Sequence, residues 1–543
     1  MHDFPSHFYT MNFRFFSFLL LIKTMGWSAV APAGAINIDT GRQLFVDDFL
    51  IAETTLKRTF HSAEVQGEAP VLQPETPLEK NDARGRDAIP VAAPFGDGAW
   101  FDSQDGLFKL WYHAGWFDGN AYATSRDGIH WQRPLLDVVP GTNRVLPIRE
   151  VDGHRLMRDG TSVWHDQATS NPAEAWKMFV YSRQEGSTAE GSAKGELMTS
   201  PDGVHWNPLR PVTFSHGDNS SIFYDPFRKL WIFSVRDSTY SLRDPTVKVR
   251  ARFYQAAREF DKLADRKNND RPPFWLKLDG RDKPDPELGY EPELYHFTAT
   301  PYESLMVGIF GLFYGPPNDV CFKTKRPKII DLQVGFSRDG LVYDRPNREA
   351  FLRSSRTPGA WNRGYLHPAT GGCLIVGDKL YFYFGAWSGV AGDHGHVYAG
   401  GSTGLATLRR DGFASLDAGG QPGMLTTVPV VFKGKVPFVN VASGSGALRA
   451  EILDSSGQPR APFTLENSIA VRTDSTRQRL EWKGSVDLEG LIGKPVRFRF
   501  HLTEGQLYSF WVSKDGSGSS HGYVAAGGPG FLGPTDEVGG GKK

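Results

Sequence analysis

YATSRDGIHW, residues 122–131, returns as LMTSPDGVHW at 197–206 and as VGFSRDGLVY at 334–343, with a fainter copy, ATLRRDGFAS, at 406–415. The first three share Ser-x-Asp-Gly and an aromatic residue three places after the glycine. The fourth keeps only Asp-Gly and a nearby Phe. Asp-Gly between two alternating runs is a hairpin signal, because the turn needs a positive φ that glycine adopts without strain. Each copy therefore reads as the outer hairpin of a small antiparallel sheet, covered by the Trp or Tyr that returns on the next strand. A device reused at long intervals marks a repeated unit, and a repeated unit decides the architecture.

A second repeat accompanies the first. It is an aromatic strand after a polar turn: GLFKLWYHAG (106–115), AWKMFVYSR (175–183), RKLWIFSVR (228–236), DKLYFYFGAW (378–387) and, without the Lys, ESLMVGIFGLFYG (303–315). Most members follow another strand that ends near an acid, as in GAWFDSQD, TSVWHDQ and SSIFYDP. Each unit then has four antiparallel strands, and five units fit between about residues 90 and 415. Such units repeated radially are propeller blades. Their irregular spacing sets them apart from kelch or WD arrays. The third unit carries the largest insertion, residues 247–280, part of which has helical spacing.

Composition agrees with strands and turns: 13% aromatic residues, 60 Gly and 36 Pro. The formal net charge is zero, so the basic footprint expected of a nucleic-acid or anionic-membrane binder is missing. Two cysteines, Cys321 and Cys373, exclude a disulfide framework and leave two free thiols or a single bridge. The segment 11–35 has Arg14, an apolar run at 15–22 and the small-residue site Ala33-Gly34-Ala35, the pattern of a secretory signal. Its apolar run is far short of the roughly 20 residues of a membrane span, as is every other stretch. The expected organisation is a signal peptide over 1–35, then a lead-in and closing strand over 36–90 that includes QLFVDDFLIAE (43–53). A five-bladed propeller over 91–416 and a linker, DAGGQPG (417–423), follow. A β-sandwich over 424–515 and a flexible tail over 516–543 complete an exported, periplasmic or extracellular, all-β chain.

This pattern of a five-bladed propeller followed by a β-sandwich resembles glycoside hydrolase family 32 and its relative family 43. Within them it is most like the family-32-like proteins of bacteria rich in secreted polysaccharide enzymes. The likeness spans about residues 40–515 and rests on architecture and two motifs. In MRDGTSVWHD (157–166), Arg158-Asp159 stands where family 32 has an Arg-Asp-Pro whose Asp binds sugar hydroxyls and stabilises the transition state; Gly160 replaces the Pro. In SHGDNSSIFYDPFRKLW (215–231), Asp218 stands where the family has its general-acid Glu, flanked by His216 and Asn219. The family's first-blade nucleophile, in an Asn-Asp-Pro-Asn-Gly motif, has no literal counterpart. In DAIPVAAPFGDGAWFD (87–102) Asp97 is nearest, with Asp87 and the pair Asp47-Asp48 as further acids.

Inner strands converge on a propeller axis, so groups at their starts face one funnel. ATPYESLMVG (299–308) puts Glu303 at such a start, and RGYLHPATGG (363–372) puts His367 there, with Arg363 and Tyr365 suited to a carboxylate or sulfate. Trp116, Trp361 and Trp387 offer stacking faces. Asp393, His394 and His396 form a short His-x-His loop without a clear third partner, so no metal or cofactor is expected. The literal Arg-Asp-Pro at 243–245 falls in the wrong register and reads as loop. Glycoside hydrolysis needs one protonated and one ionised carboxyl. Asp218 or Glu303 is expected as the acid, Asp159 as the group that orients the sugar, and Asp97 as a third carboxylate. The expected partner is a poly- or oligosaccharide. Two alternatives are a non-catalytic carbohydrate-binding propeller and a sialidase-like exo-glycosidase, whose Asp-boxes resemble the Ser-x-Asp-Gly copies with the glycine one place early.

Overall fold

The computed structural model describes residues 34–537 apart from 152, 187–192, 268–269, 325, 390–395 and 486. The expected signal peptide falls almost entirely outside the described residues, as do Asp393 and His394. The repeated decapeptide is the same turn three times. Ser125, Ser200 and Ser337 each end a strand, and each Oγ accepts the N–H of Gly128, Gly203 or Gly340 at 2.8–2.9 Å. One oxygen of Asp127, Asp202 or Asp339 accepts two further backbone N–H groups at 2.8 Å. The glycines have φ of 76°, 80° and 68°, in the left-handed region that side chains other than glycine's resist.

Around these turns the chain pairs into five successive units. The first holds Val91–Asp102, Leu107–Ala114 and Gly119–Ser125, with an outer bridge at Gln132. The second is His154–His165, Trp176–Gln184, Ala193–Ser200 and Asn207–Pro211. The third is Ser221–Asp225, Leu230–Tyr240, Lys248–Ala257 and Phe274–Leu276. The fourth is Glu293–Glu303, Leu305–Gly315 and Ile329–Ser337, with outer bridges at Asp344 and Leu352. The fifth is Gly364–Pro368, Lys379–Trp387 and Gly401–Arg409, completed by Glu64–Val65 from the N-terminal lead-in. That pairing closes the ring and covers an edge that would otherwise template aggregation. The helical spacing of the insertion in unit three is overridden where residues 248–257 form a strand, and a short 3-10 turn, Phe260–Ala264, follows.

The inner strands are tied to one another across the axis. Thr161 and Ala369 lie beside Gly96 in parallel bridges. Ser162 Oγ donates to the Ile222 carbonyl at 3.3 Å, and Ser221 Oγ to that of Phe297 at 2.6 Å. The turns tie the units at their rim. Tyr383 of unit five donates its hydroxyl to the Gly128 carbonyl of unit one at 2.6 Å. Trp111 of unit one donates to Gly203 of unit two at 2.7 Å, and Arg228 of unit three to Gly340 of unit four at 2.7 Å.

The second domain is a sandwich of a six-stranded and a four-stranded sheet around a separate apolar core that includes Phe45, Leu425, Phe498 and Phe510. Most of the expected lead-in strand belongs here: Gln43–Leu44 pairs with Gly505–Ser513, and Ile51–Thr54 with Gly423–Thr427. Ala414–Ala418, just before the glycine linker, is also a sandwich strand. The fold is therefore an all-β propeller followed by a β-sandwich whose two ends are stitched together.

Three expectations are corrected where the domains meet. Glu303 does not begin the fourth inner strand; it ends it, at a tight turn with φ of 51°. There it is fully buried, 3.5 Å from Arg42 and 3.1 Å from Arg410, and accepts from Ser520 Oγ at 2.6 Å. Arg42 also pairs with Asp411 at 3.0 Å, and Arg410 lies 3.4 Å from Asp536. Asp411 belongs to the faint fourth copy of the turn, which serves this ion cluster instead of an outer hairpin. The segment from Gly516 is not a free tail up to Glu537: Tyr523–Val524 pairs with the end of the fourth inner strand, and Asp536 is buried. The buried cations draw it in. Removing one member of a buried ion cluster strands the others and costs about 3–5 kcal/mol. Glu303→Gln is expected to lower unfolding free energy by that amount in urea titrations; a loss below about 1 kcal/mol contradicts the assignment of Glu303 to the domain lock.

Candidate active site

A cavity of about 360 Å³ opens where the inner strands start. The inner strands of units one, two, four and five, and the turn that leads into that of unit three, each deliver a lining residue: Phe95, Asp159, Asp218, Tyr295 and Tyr365. Asp159 projects from a bulge, because the pairing of its strand shifts between Arg158 and Thr161 and Gly160 adopts φ of 95°. Asp218 sits in the turn that precedes Ser221–Asp225, next to Asn219 with φ of 58°.

The two carboxylates are joined by one cation. Arg183 Nη2 donates to Asp159 Oδ2 and, at 3.3 Å, to Asp218 Oδ2. Arg236 Nε is 3.5 Å from the other oxygen of Asp218. Arg250 lines the same cavity and pairs with Glu293 at 3.0 Å. Lys328 lies 5.0–5.3 Å from the ring centres of Tyr295, Tyr365 and Tyr398. Trp116, Phe117 and Tyr181 complete an aromatic wall, in which Trp116 stacks on Tyr398 at 4.5 Å.

The environment separates the acids. Burial pushes Asp159 up to about 7, with repulsion from Asp218 adding to it and Arg183 and Lys328 opposing it. Burial also pushes Asp218 up, but Arg236, Arg183, Arg250 and Lys328 outweigh it and hold that carboxyl below its ordinary value. The surroundings thus favour the protonated form of Asp159 and the ionised form of Asp218.

The other expected residues lie elsewhere. Asp97 is fully buried between units one and two, where it accepts from the Phe95 N–H at 2.7 Å, from Asn120 at 2.7 Å and from Thr161 Oγ1. It does not line the cavity. Burial pushes it up to about 6 against those three donors. Arg158 points away to Ser182, 3.1 Å, and His216 to the Phe214 carbonyl, 2.7 Å. Asn219 and His367 form a buried pair at 2.7 Å, and the His367 ring packs against Phe95 at 4.4 Å. Trp387 is fully buried in the aromatic cluster behind the wall, and Trp361 donates to the Glu68 carbonyl. Arg363 lines a different, smaller hollow with Asp285 and Arg356. Asp47 and Asp48 pair with Arg338 and Arg58, and Asp87 is exposed. Both cysteines are free and buried. Among the described residues, no group of three or more His, Cys, Asp or Glu is arranged to hold a metal.

Sequence reasoning missed Arg183 and Arg236, although AWKMFVYSR and RKLWIFSVR, two copies of the aromatic strand, both end in Arg. That shared position was the available signal. Arg250 and Lys328 come from an insertion and a loop, where no repeat flags them.

No family model matches the chain, and no curated protein matches it. Solved structures similar to it include a putative glycoside hydrolase from Parabacteroides distasonis, at TM-score 0.39 and 14% identity, covering 64% of this chain and 97% of that one. An N-acetylgalactosamine deacetylase from F. plautii, in complex with blood group B trisaccharide, has TM-score 0.38 and 15% identity over 65% of this chain and 96% of the other. A thermostable family-43 glycoside hydrolase has TM-score 0.38 and 12% identity over 61% and 95%.

A raised carboxyl ties stability to pH. Between the ordinary Asp value of about 3.9 and the folded value, the folded state holds a proton that the unfolded state has lost, so stability falls as pH rises through that window. Asp159→Asn removes the effect. Thermal unfolding from pH 4 to 8 is expected to show the variant gaining on wild type by a few kcal/mol up to about pH 7 and then levelling. A difference independent of pH contradicts the raised Asp159.

Proposed function

We propose that the chain is an exported glycoside hydrolase that cleaves a poly- or oligosaccharide in the axial cavity. The observation that carries this reading is the pair Asp159 and Asp218: two carboxylates from consecutive units, in one cavity, with opposite protonation preferences. In this reading Asp159 protonates the leaving glycosidic oxygen, and ionised Asp218 stabilises positive charge on the sugar or attacks it. This reverses the expected roles, because the buried carboxyl beside another acid is the one that keeps its proton. Arg183 orients both acids, and the ring faces of Trp116, Tyr181 and Tyr398 suit the apolar faces of a pyranose. Cavity size fits one or two sugar residues in the usual range of roughly 300–1,000 Å³ for ligand sites.

One observation favours a second reading, a carbohydrate-binding propeller without catalysis: Arg183 occupies both carboxylates at once. The test is reducing-sugar release from a broad panel of plant and algal polysaccharides and aryl glycosides. Wild-type release that drops by about 10²–10⁴-fold in both Asp159→Asn and Asp218→Asn supports the hydrolase. Its pH profile is expected to fall above about pH 7, as Asp159 loses its proton. Glycan binding without release in any member supports the binding module and sinks the hydrolase.

A further inference from the structure

The charges around the cavity do not balance, and the excess has a direction. Four cations line it, Arg183, Arg236, Arg250 and Lys328, against two carboxylates, Asp159 and Asp218. Arg183 is committed to both acids, Arg236 shares Asp218, and Arg250 has Glu293. Lys328 has no carboxylate partner among the described residues. Its residue is only 4% exposed, and its Nζ lies 3.4 Å from the Tyr295 hydroxyl within a cage of three tyrosine rings. Desolvating an ammonium costs several kcal/mol unless something compensates it. Ring faces and the Tyr295 and Tyr398 hydroxyls offset that cost without placing a carboxylate against the charge. Arg236 keeps about a quarter of its side chain exposed, directed at the same space.

We propose that the sugar this cavity takes is anionic, with a carboxylate or sulfate group held by Lys328 and Arg236 while the ring lies against the aromatic wall. The proposal rests on the reading of the cavity as a glycan site and narrows it. A neutral sugar brings no counter-ion to Lys328, so it forfeits what an anion gains. Arginine suits the planar, bidentate recognition of a carboxylate or sulfate, and the lysine adds a point charge.

The experiment uses the full chain and matched sugars. D-Glucuronate, D-galacturonate and D-galactose 6-sulfate are titrated beside D-glucose and D-galactose, with binding read by calorimetry and by thermal shift. At least one anionic sugar is expected to bind more than tenfold tighter than its neutral match, and whether uronate or sulfate wins identifies the group. The preference is expected to fall at least tenfold in Lys328→Met and in Arg236→Met, and to weaken in 0.5 M salt. Two variants are needed because either one alone could disturb folding; near-wild-type thermal unfolding in either keeps the test valid. Neutral sugars binding as well as charged ones, or a preference unchanged in both variants, overturns the proposal. Hydrolysis is scored separately. An anionic sugar that binds, with no glycan of its class cleaved, refutes the hydrolase and keeps the anion site. Cleavage of a neutral glycan at full rate in Lys328→Met refutes the anion site and keeps the hydrolase.

Discussion

The ring depends on a carbonyl oxygen. In three turns a glycine in the left-handed region offers its carbonyl to a donor from the preceding unit, Tyr383, Trp111 or Arg228. A side chain at Gly128 or Gly203 would meet the donor itself: a Cβ there falls 2.6 Å from the Tyr383 hydroxyl or 2.5 Å from the Trp111 ring. One glycine thus satisfies two demands, the φ of the turn and the close approach of the neighbouring unit. Neighbouring units fastened at the rim hold their inner strands in fixed register at the axis. Asp159 and Asp218 come from units two and three, whose inner strands are tied directly, through Ser162 Oγ and the Ile222 backbone.

What was legible in the sequence follows from range. The turn is local, written in Ser-x-Asp-Gly, and it could be read directly. The identity of each inner strand is not local. In unit four the apolar run 305–315 reads as the inner strand with Glu303 at its start, whereas the inner strand is the less apolar Glu293–Glu303 before it. That one-strand shift carried Glu303 to the opposite end of the propeller and hid Tyr295. Asp97 was misplaced for a related reason. The register of its strand jumps between Ala93 and Gly98, and the bulge turns the carboxylate inward to Asn120 and Thr161. Asp159 and Asp218, which stand where the family pattern places an acid, both line the cavity; the cations beside them stand at no strand start and carry no such mark.

The two ends of the propeller hold the same chemistry and put it to different use. At the sandwich end Glu303 has two arginines, a serine hydroxyl and the Arg42 backbone N–H, and no exposure. Both oxygens of Glu303 are engaged, and the cluster joins the two domains. At the cavity end Asp218 keeps a fifth of its side chain exposed and Arg183 two-fifths. The cations outnumber the acids, and Lys328 has ring faces and two phenols but no carboxylate in ion-pair contact among the described residues. Satisfied buried charges rigidify a structure, whereas a buried charge left without its counter-ion is costly to the folded chain. On the wall of the open cavity, among aromatic faces, that cost falls on Lys328. A ligand that brings negative charge and an apolar face removes it.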